Sequence, residues 1–178
     1  MPKKATKTYV QFKLSTDTLG YSFSYNDEET AALHLKINNN PEIDINDLRR
    51  ISLWKIDRVL GVSDEILDKL RSLAQLDDIL VTDPFVEGIV DDLVNSQGIG
   101  YPMASAILKF IKPEVFPIID VRAYRALRGV KPYYSTYTYQ KYVDYTNDLI
   151  ELSKTLNRPL REMDEQLYCF DQEKNGKI

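Results

Sequence analysis

Gln97-Gly98-Ile99-Gly100-Tyr101 allows this chain one local answer. Two glycines around one apolar residue stand between a helical run that ends at Val94 and the Ala-rich run Met103-Ala104-Ser105-Ala106-Ile107-Leu108. Two helices must therefore meet through a tight turn with little side-chain bulk. Glycine tolerates left-handed dihedrals and places no Cβ in the way. A turn of this kind also presents backbone amides, at the start of the second helix, to any phosphate that docks there. An interhelical turn needs glycine for structural reasons too, so at this point both readings stand.

The rest of the chain is read by the same periodicity. Apolar spacing predicts helices over 28–37 and 45–60, the second with Leu48, Ile51, Ile56 and Val59 on a shared buried side and Gly61 as its stop. Ser63 caps a predicted helix to about residue 76, and Asp83 with Pro84 opens one that runs through Val94. After the turn come helices over 103–111, halted by Pro113, and from Asp120 to about Arg128, closed by Gly129. The extended link Pro117-Ile118-Ile119 joins those two. Helices over 136–155 and 159–174 complete a mostly α fold of about eight helices. Residues 8–14 and 20–25 alternate polar and apolar, which predicts a short N-terminal β-hairpin. At 178 residues the chain suits a single domain over 1–178, or two small lobes, with a sizeable core.

Charge and cysteine content remove several function classes. A formal net charge of −4 is unlike a protein that coats nucleic acid through bulk electrostatics. The distribution is uneven. Between residues 101 and 141, Lys109, Lys112, Arg122, Arg125, Arg128, Lys131 and Lys141 face only Glu114 and Asp120, which gives +5 there and −9 elsewhere. A local basic face fits contacts at a defined site, and a scatter of solvated side chains fits the same numbers. The single cysteine, Cys169, excludes an internal disulfide framework, and the single histidine, His34, excludes a His-rich metal site. The basic start Met1-Pro2-Lys3-Lys4 leads into no apolar signal-peptide core, and no run nears the ~20 apolar residues of a membrane span. The expected setting is intracellular and cytoplasmic, with no membrane partner.

The candidates for chemistry lie mainly after the turn. Asp120 stands twenty residues past Gly100 at a helix start, where the helix field favours its ionised form. One such carboxylate can stabilise developing positive charge and deprotonate water. Asp is equally a preferred N-cap, so a purely structural role explains it too. Gly98, Ile99, Gly100, Tyr101 and Met103 surround the amides of the turn, and Lys109, Arg122 and Arg125 add positive charge for phosphates. The arginines also fit helix residues paired to acids. Tyr133, Tyr134, Tyr137, Tyr139, Tyr142 and Tyr145 supply faces on which a base can stack, although the last three recur at the spacing of a packed helix. Trp54, Lys55 and Arg58 are a weaker candidate pocket rim. The sequence offers no metal site.

Gly98-Ile99-Gly100 opening an Ala-rich helix, then an apolar link into Asp120, resembles the helix-hairpin-helix DNA glycosylase superfamily of base-excision repair. The likeness runs from residue 84 to 127, about a quarter of the chain, with the helix-hairpin-helix at about 84–112. It implies a glycosylase-like fold, double-stranded DNA as the partner of a monomer, and hydrolysis of an N-glycosidic bond with Asp120 activating water. Arg125 falls five residues past Asp120, where the family often carries an arginine. The resemblance permits a monovalent cation on the hairpin carbonyls, while the lone Cys169 excludes the four-Cys iron–sulfur cluster of some members. Two departures matter. Pro102 replaces the lysine with which bifunctional members form a Schiff base, so the implied enzyme is monofunctional and leaves an abasic site. Ser96-Gln97 stands where the family commonly has Leu-Pro. A non-catalytic helix-hairpin-helix DNA-binding or scaffold protein, and a protein-interaction module on the same scaffold, are the alternatives, with RNA as an alternative target.

Overall fold

A computed structural model describes residues 13, 15–16, 25–38 and 42–178. The chain divides into two compact units, 1–54 and 55–178. Among the described residues the fold is helical throughout, with eight α-helices, one 3-10 turn and a single isolated antiparallel bridge, Gly61 to Gln97. The N-terminal hairpin expected over 8–14 and 20–25 lies, apart from Lys13 and Tyr25, outside the described residues. No helix among the described residues is long and apolar enough to cross a membrane.

In the first unit, α1 (Asp27–Ile37) and α2 (Ile45–Lys55) are joined by ion pairs more than by an apolar stripe. Arg50 clamps Glu29 with two hydrogen bonds of 2.9 and 2.8 Å, and the fully buried Asp47 pairs with Lys36. The expected helix over 45–60 ends early, at Lys55. Asp57 takes a left-handed φ of 56°, which breaks the helix, and Gly61 pairs with Gln97 instead of capping. The predicted buried side does not form either, since Leu48 and Ile56 are exposed.

The second unit holds α3 (Asp64–Gln75), α4 (Pro84–Val94), α5 (Tyr101–Ile111), α6 (Val121–Arg128), α7 (Tyr139–Leu156) and α8 (Leu160–Asn175). Local chemistry sets the ends. The Ser63 hydroxyl accepts from the Ile66 amide, and Pro84 and Pro102 lie in first turns, where a missing N–H costs nothing. Gly129 closes α6 at a φ of 70°. The predicted 136–155 helix begins three residues late, because Tyr134–Thr136 forms a 3-10 turn and Thr138 supplies the cap through the Lys141 amide. Leu73, Val86, Ile89 and Leu93 of α3 and α4 meet Leu108, Phe116, Ile119, Ala123, Leu149 and Met163 in one core. That core buries one face of each helix around the turn between α4 and α5.

The turn itself is a β-turn closed by the Ile99 amide on the Ser96 carbonyl at 3.3 Å, with Gly98 third at a φ of 79°. A left-handed third residue is what a type II turn demands. A Cβ there would also lie 2.5 Å from the Val59 carbonyl oxygen. Gly98→Ala is therefore expected to destabilise this unit by about 2 kcal/mol or more, read as a lower urea midpoint at an unchanged slope.

Candidate functional site

Gly100 caps α5 in extended conformation and brings no side-chain acceptor, so the first-turn amides of Tyr101 and Met103 are left to other partners; Pro102 has none to offer. The space over Gly100 is already taken by tyrosine. A Cβ at Gly100 would lie 2.1 Å from the Tyr134 hydroxyl, but that hydroxyl ends a side chain 65% exposed and can move aside, and at an ordinary φ of −121° packing alone does not require the second glycine. Ile99 is buried in the core, and Met103 is exposed beside the amides.

Asp120 sits at the end of the extended link, and four buried side chains fix that link. The Tyr142 hydroxyl donates to the Pro117 carbonyl and the Tyr145 hydroxyl to the Ile118 carbonyl, each at 3.1 Å. The Ile118 amide donates to Asp164 at 3.0 Å, and the Ile119 amide to the Ser105 hydroxyl at 3.1 Å. Ser105 in turn donates to the Pro102 carbonyl at 3.0 Å. This chain of bonds ties the first turn of α5 to the residue just before Asp120. The turn and the acid are thus held in fixed relation by buried, fully paired groups, the condition under which polar networks add rigidity.

Asp120 is half-buried, and its Oδ1 accepts from the Ala123 amide at 2.7 Å as the cap of α6. Loss of solvent pushes its carboxyl above the usual value of 3.8, an effect reinforced by the charge of Asp164. The Ala123 and Arg122 amides and the Arg122 charge pull the other way and do not cancel it. A carboxylate raised in this way is a stronger base than a solvated one. Capping engages the side chain at one oxygen, so the cap and a chemical role are compatible.

The tyrosines of this region form two ring groups, bridged by Lys141. Tyr137 is buried, stacks on Tyr101 of α5 at 6.4 Å and meets Tyr134 edge-on at 6.3 Å. Tyr124 stacks on Tyr145 at 6.1 Å, and the Lys141 ammonium lies over both Tyr124 and Tyr137. Burial, with the nearby charge of Asp120 second, raises the Tyr137 hydroxyl to about 12. Tyr142 and Tyr145 are core residues, as their spacing implied, and their hydroxyls do the bracing just described.

The basic side chains expected to meet phosphate are engaged inside the protein. Lys109 is 8% exposed, and its ammonium donates to both oxygens of Asp164 at 2.8 Å, to Glu165 at 2.9 Å and to the Arg161 carbonyl at 2.8 Å. Arg125 makes a two-bond clamp on Asp171, at 2.7 Å each, and Arg122 donates to Asp171 at 3.1 Å and to the Gly176 carbonyl at 2.8 Å. Arg125 therefore fixes α6 to α8, and its partner is not Asp120. Arg128 pairs with Asp148. Four of the seven basic residues counted between 101 and 141 are thus neutralised by acids outside that window, which the linear charge count could not register. Asp171 is fully buried, and its hydrogen bond from Arg125, ahead of all other causes, holds its carboxyl well below the usual value. A depressed folded value means stability that is complete above about pH 4 and lost as the pH falls further. Asp171→Asn is expected to flatten that acid limb of the melting-temperature profile, while the wild type shows it.

Of the three weaker rim candidates, Trp54 lines a cavity of about 420 Å³ in the first unit, with Thr30, Leu33, His34, Ile37 and Ile51, and its indole N–H donates to Thr30 at 2.8 Å. Lys55, the last residue of α2 at the boundary of the units, and Arg58 are exposed and do not line it. Among the described residues no group of three or more His, Cys, Asp or Glu is placed to hold a metal. The hairpin carbonyls of Ser96, Gln97 and Gly100 accept the amides of Ile99, Gly61 and Ala104.

Sequence reading missed Ser105, Asp164, Asp171 and the special position of Tyr137. The two acids did leave a signal. Both fall on the helix side that also carries Leu160, Met163 and Leu167, and an acid on an apolar stripe must find a buried partner. A scan against family models, and searches of curated proteins and of solved structures, find no match to this chain.

Proposed function

We propose that this chain is a glycosylase-like protein that grips double-stranded DNA at the α4–α5 turn and hydrolyses an N-glycosidic bond with Asp120. The observation that carries the reading is the Pro102–Ser105–Ile119 hydrogen-bond chain, which holds a half-buried, basicity-raised carboxylate at a fixed distance from an uncapped helix start. In this reading the amides of Tyr101 and Met103 meet a phosphate and set the register of the duplex. Asp120 stabilises the positive charge that grows on the deoxyribose as the base departs, and takes a proton from the attacking water. Pro102, which has no amine, keeps the reaction monofunctional. Lys109, Arg122 and Arg125 act as the frame that positions the link and α6, and contribute no phosphate contact.

The protein is incubated with duplexes carrying a panel of damaged or mismatched bases, and abasic sites are revealed with alkali. Strand breaks after alkali in at least one duplex, with no adduct trapped by borohydride, are expected. Intact strands throughout would refute base release, and a trapped adduct would refute the use of water. The internal pairing of the predicted phosphate-binding side chains removes three cations from any duplex contact and favours one second reading, a protein-interaction module on the same helical scaffold. Absence of duplex binding for every member of the panel would select it.

A further inference from the structure

One cation beside the tyrosines is held without an acid. Lys109, Arg122, Arg125 and Arg128 all end on carboxylates. The half-buried Lys141 instead donates to the Thr136 hydroxyl at 3.0 Å and lies over the rings of Tyr124 and Tyr137, 5.7 and 5.9 Å from their centres, and no carboxylate among the described residues pairs with it. The acids that follow on α7 are taken elsewhere: Asp144 accepts from Gln140 at 2.8 Å, and Asp148 pairs with Arg128. The placement also works against the helix, because Lys141 stands in the first turn of α7, where the helix field opposes a cation. An ammonium has three hydrogens to donate, and a single hydroxyl leaves two of them without an oxygen. A partly desolvated cation kept in this way is short of an anion. The other unpaired lysines of the region differ: Lys112 closes α5, where the carbonyl end favours a cation, and Lys131 is exposed.

Ring contacts connect this cation to the α4–α5 turn. The Tyr137 ring under the ammonium is the one that stacks on Tyr101, the first residue of α5, and that meets Tyr134, whose hydroxyl lies against Gly100. We propose that the Lys141 ammonium binds a backbone phosphate of the strand gripped at the turn. This rests on the duplex-grip part of the reading above, and it gives that grip the side-chain cation that Lys109, Arg122 and Arg125 do not supply. A contact to phosphate adds affinity without choosing a base. It also releases counterions from the duplex, which makes it visible as a salt dependence.

Affinity for an undamaged duplex is measured against salt for the full chain as wild type, Lys141→Gln and Lys141→Arg. Loss of one phosphate contact is expected to make the slope of log affinity against log salt shallower by about one in Lys141→Gln, with affinity roughly 5- to 10-fold lower at low salt. Lys141→Arg is expected to keep the wild-type slope. A lysine that only braces the 3-10 turn through Thr136 would leave the slope alone, whatever its removal does to the melting temperature. An unchanged slope in Lys141→Gln therefore overturns the proposal, whether or not base is released. A shallower slope in a protein that releases no base upholds the contact and rejects the hydrolysis. If the wild type binds no duplex, the duplex reading falls and inorganic phosphate becomes the probe, read by NMR of protein with isotope-labelled lysines. The Lys141 side-chain signal, assigned with Lys141→Arg, is then expected to shift saturably with phosphate and not with chloride at equal ionic strength. Absence of that shift overturns the phosphate site as well.

Discussion

Asp164→Ala is expected to lower the stability of the second unit by about 3–5 kcal/mol, the range for removing one partner of a buried ion pair. The carboxylate of Asp164 receives the Lys109 ammonium on both oxygens and the Ile118 amide on one, and the lysine is almost wholly out of solvent. Truncation strands a charge and a backbone donor together. Glu165 stays within 2.9 Å of the ammonium, but its side chain is 62% exposed and replaces only part of the loss. Chemical unfolding reads the effect directly. In the paired variant Lys109→Met with Asp164→Leu, no charge is left unpaired, and most of the stability is expected to return. If the single and paired variants unfold at the same midpoint, the cost lies in packing and not in the stranded charge. The pair also reaches the site, because the Ile118 amide is one of the four anchors of the link to Asp120.

Asp120→Asn is expected to reduce base release by about 10²- to 10⁴-fold, the span attributed to a positioned acid or base. Asparagine has the same shape and caps a helix as well as aspartate does. The link, α6 and the turn therefore keep their places, and duplex affinity is expected to stay within about threefold, since the carboxylate is charged like the phosphates and adds nothing to their binding. The thermal consequence has a definite sign. A carboxyl whose folded value lies above its unfolded one disfavours folding once the pH exceeds the unfolded value, so at neutral pH the asparagine variant melts no lower than the wild type. Full base release by Asp120→Asn would remove this residue from the chemistry. A large drop in both melting temperature and affinity would mark it as a structural cap.

How much of this was legible beforehand depended on the range over which each signal acts. Helix starts at Ser63, Pro84 and Asp120 and the stop at Gly129 are local matters of caps and missing amides, and the sequence displays them. The end of α2 is not local. Apolar residues at helical spacing continue past Lys55, yet Val59 and Gly61 are taken up by the turn at Gly98 and Gln97, some forty residues later in the chain. The turn and Asp120 were visible as a pair, but the reason they stay together is Ser105, a small residue in an Ala-rich helix with nothing to distinguish it in a linear reading. Charge misled most. Lys109, Arg122 and Arg125 look like a basic face only while Asp164, Asp171 and Glu165 are counted as belonging to another part of the protein. Folding brings side chains of α8 against those of α5 and α6 and turns the face into a set of internal ion pairs.

In the proposed function one carboxylate, Asp120, faces a deoxyribose held at the α4–α5 turn. Its most direct test needs no knowledge of the base removed. Two duplexes are compared, one with a positively charged pyrrolidine in place of a deoxyribose and one with the neutral tetrahydrofuran ring at the same position. A site built to stabilise developing positive charge binds a mimic of that charge more tightly, commonly by 10²-fold or more. The wild type is expected to prefer the pyrrolidine duplex, and Asp120→Asn is expected to bind both duplexes alike. Equal binding of the two duplexes by the wild type, or an undiminished preference in Asp120→Asn, would rule out this role for Asp120.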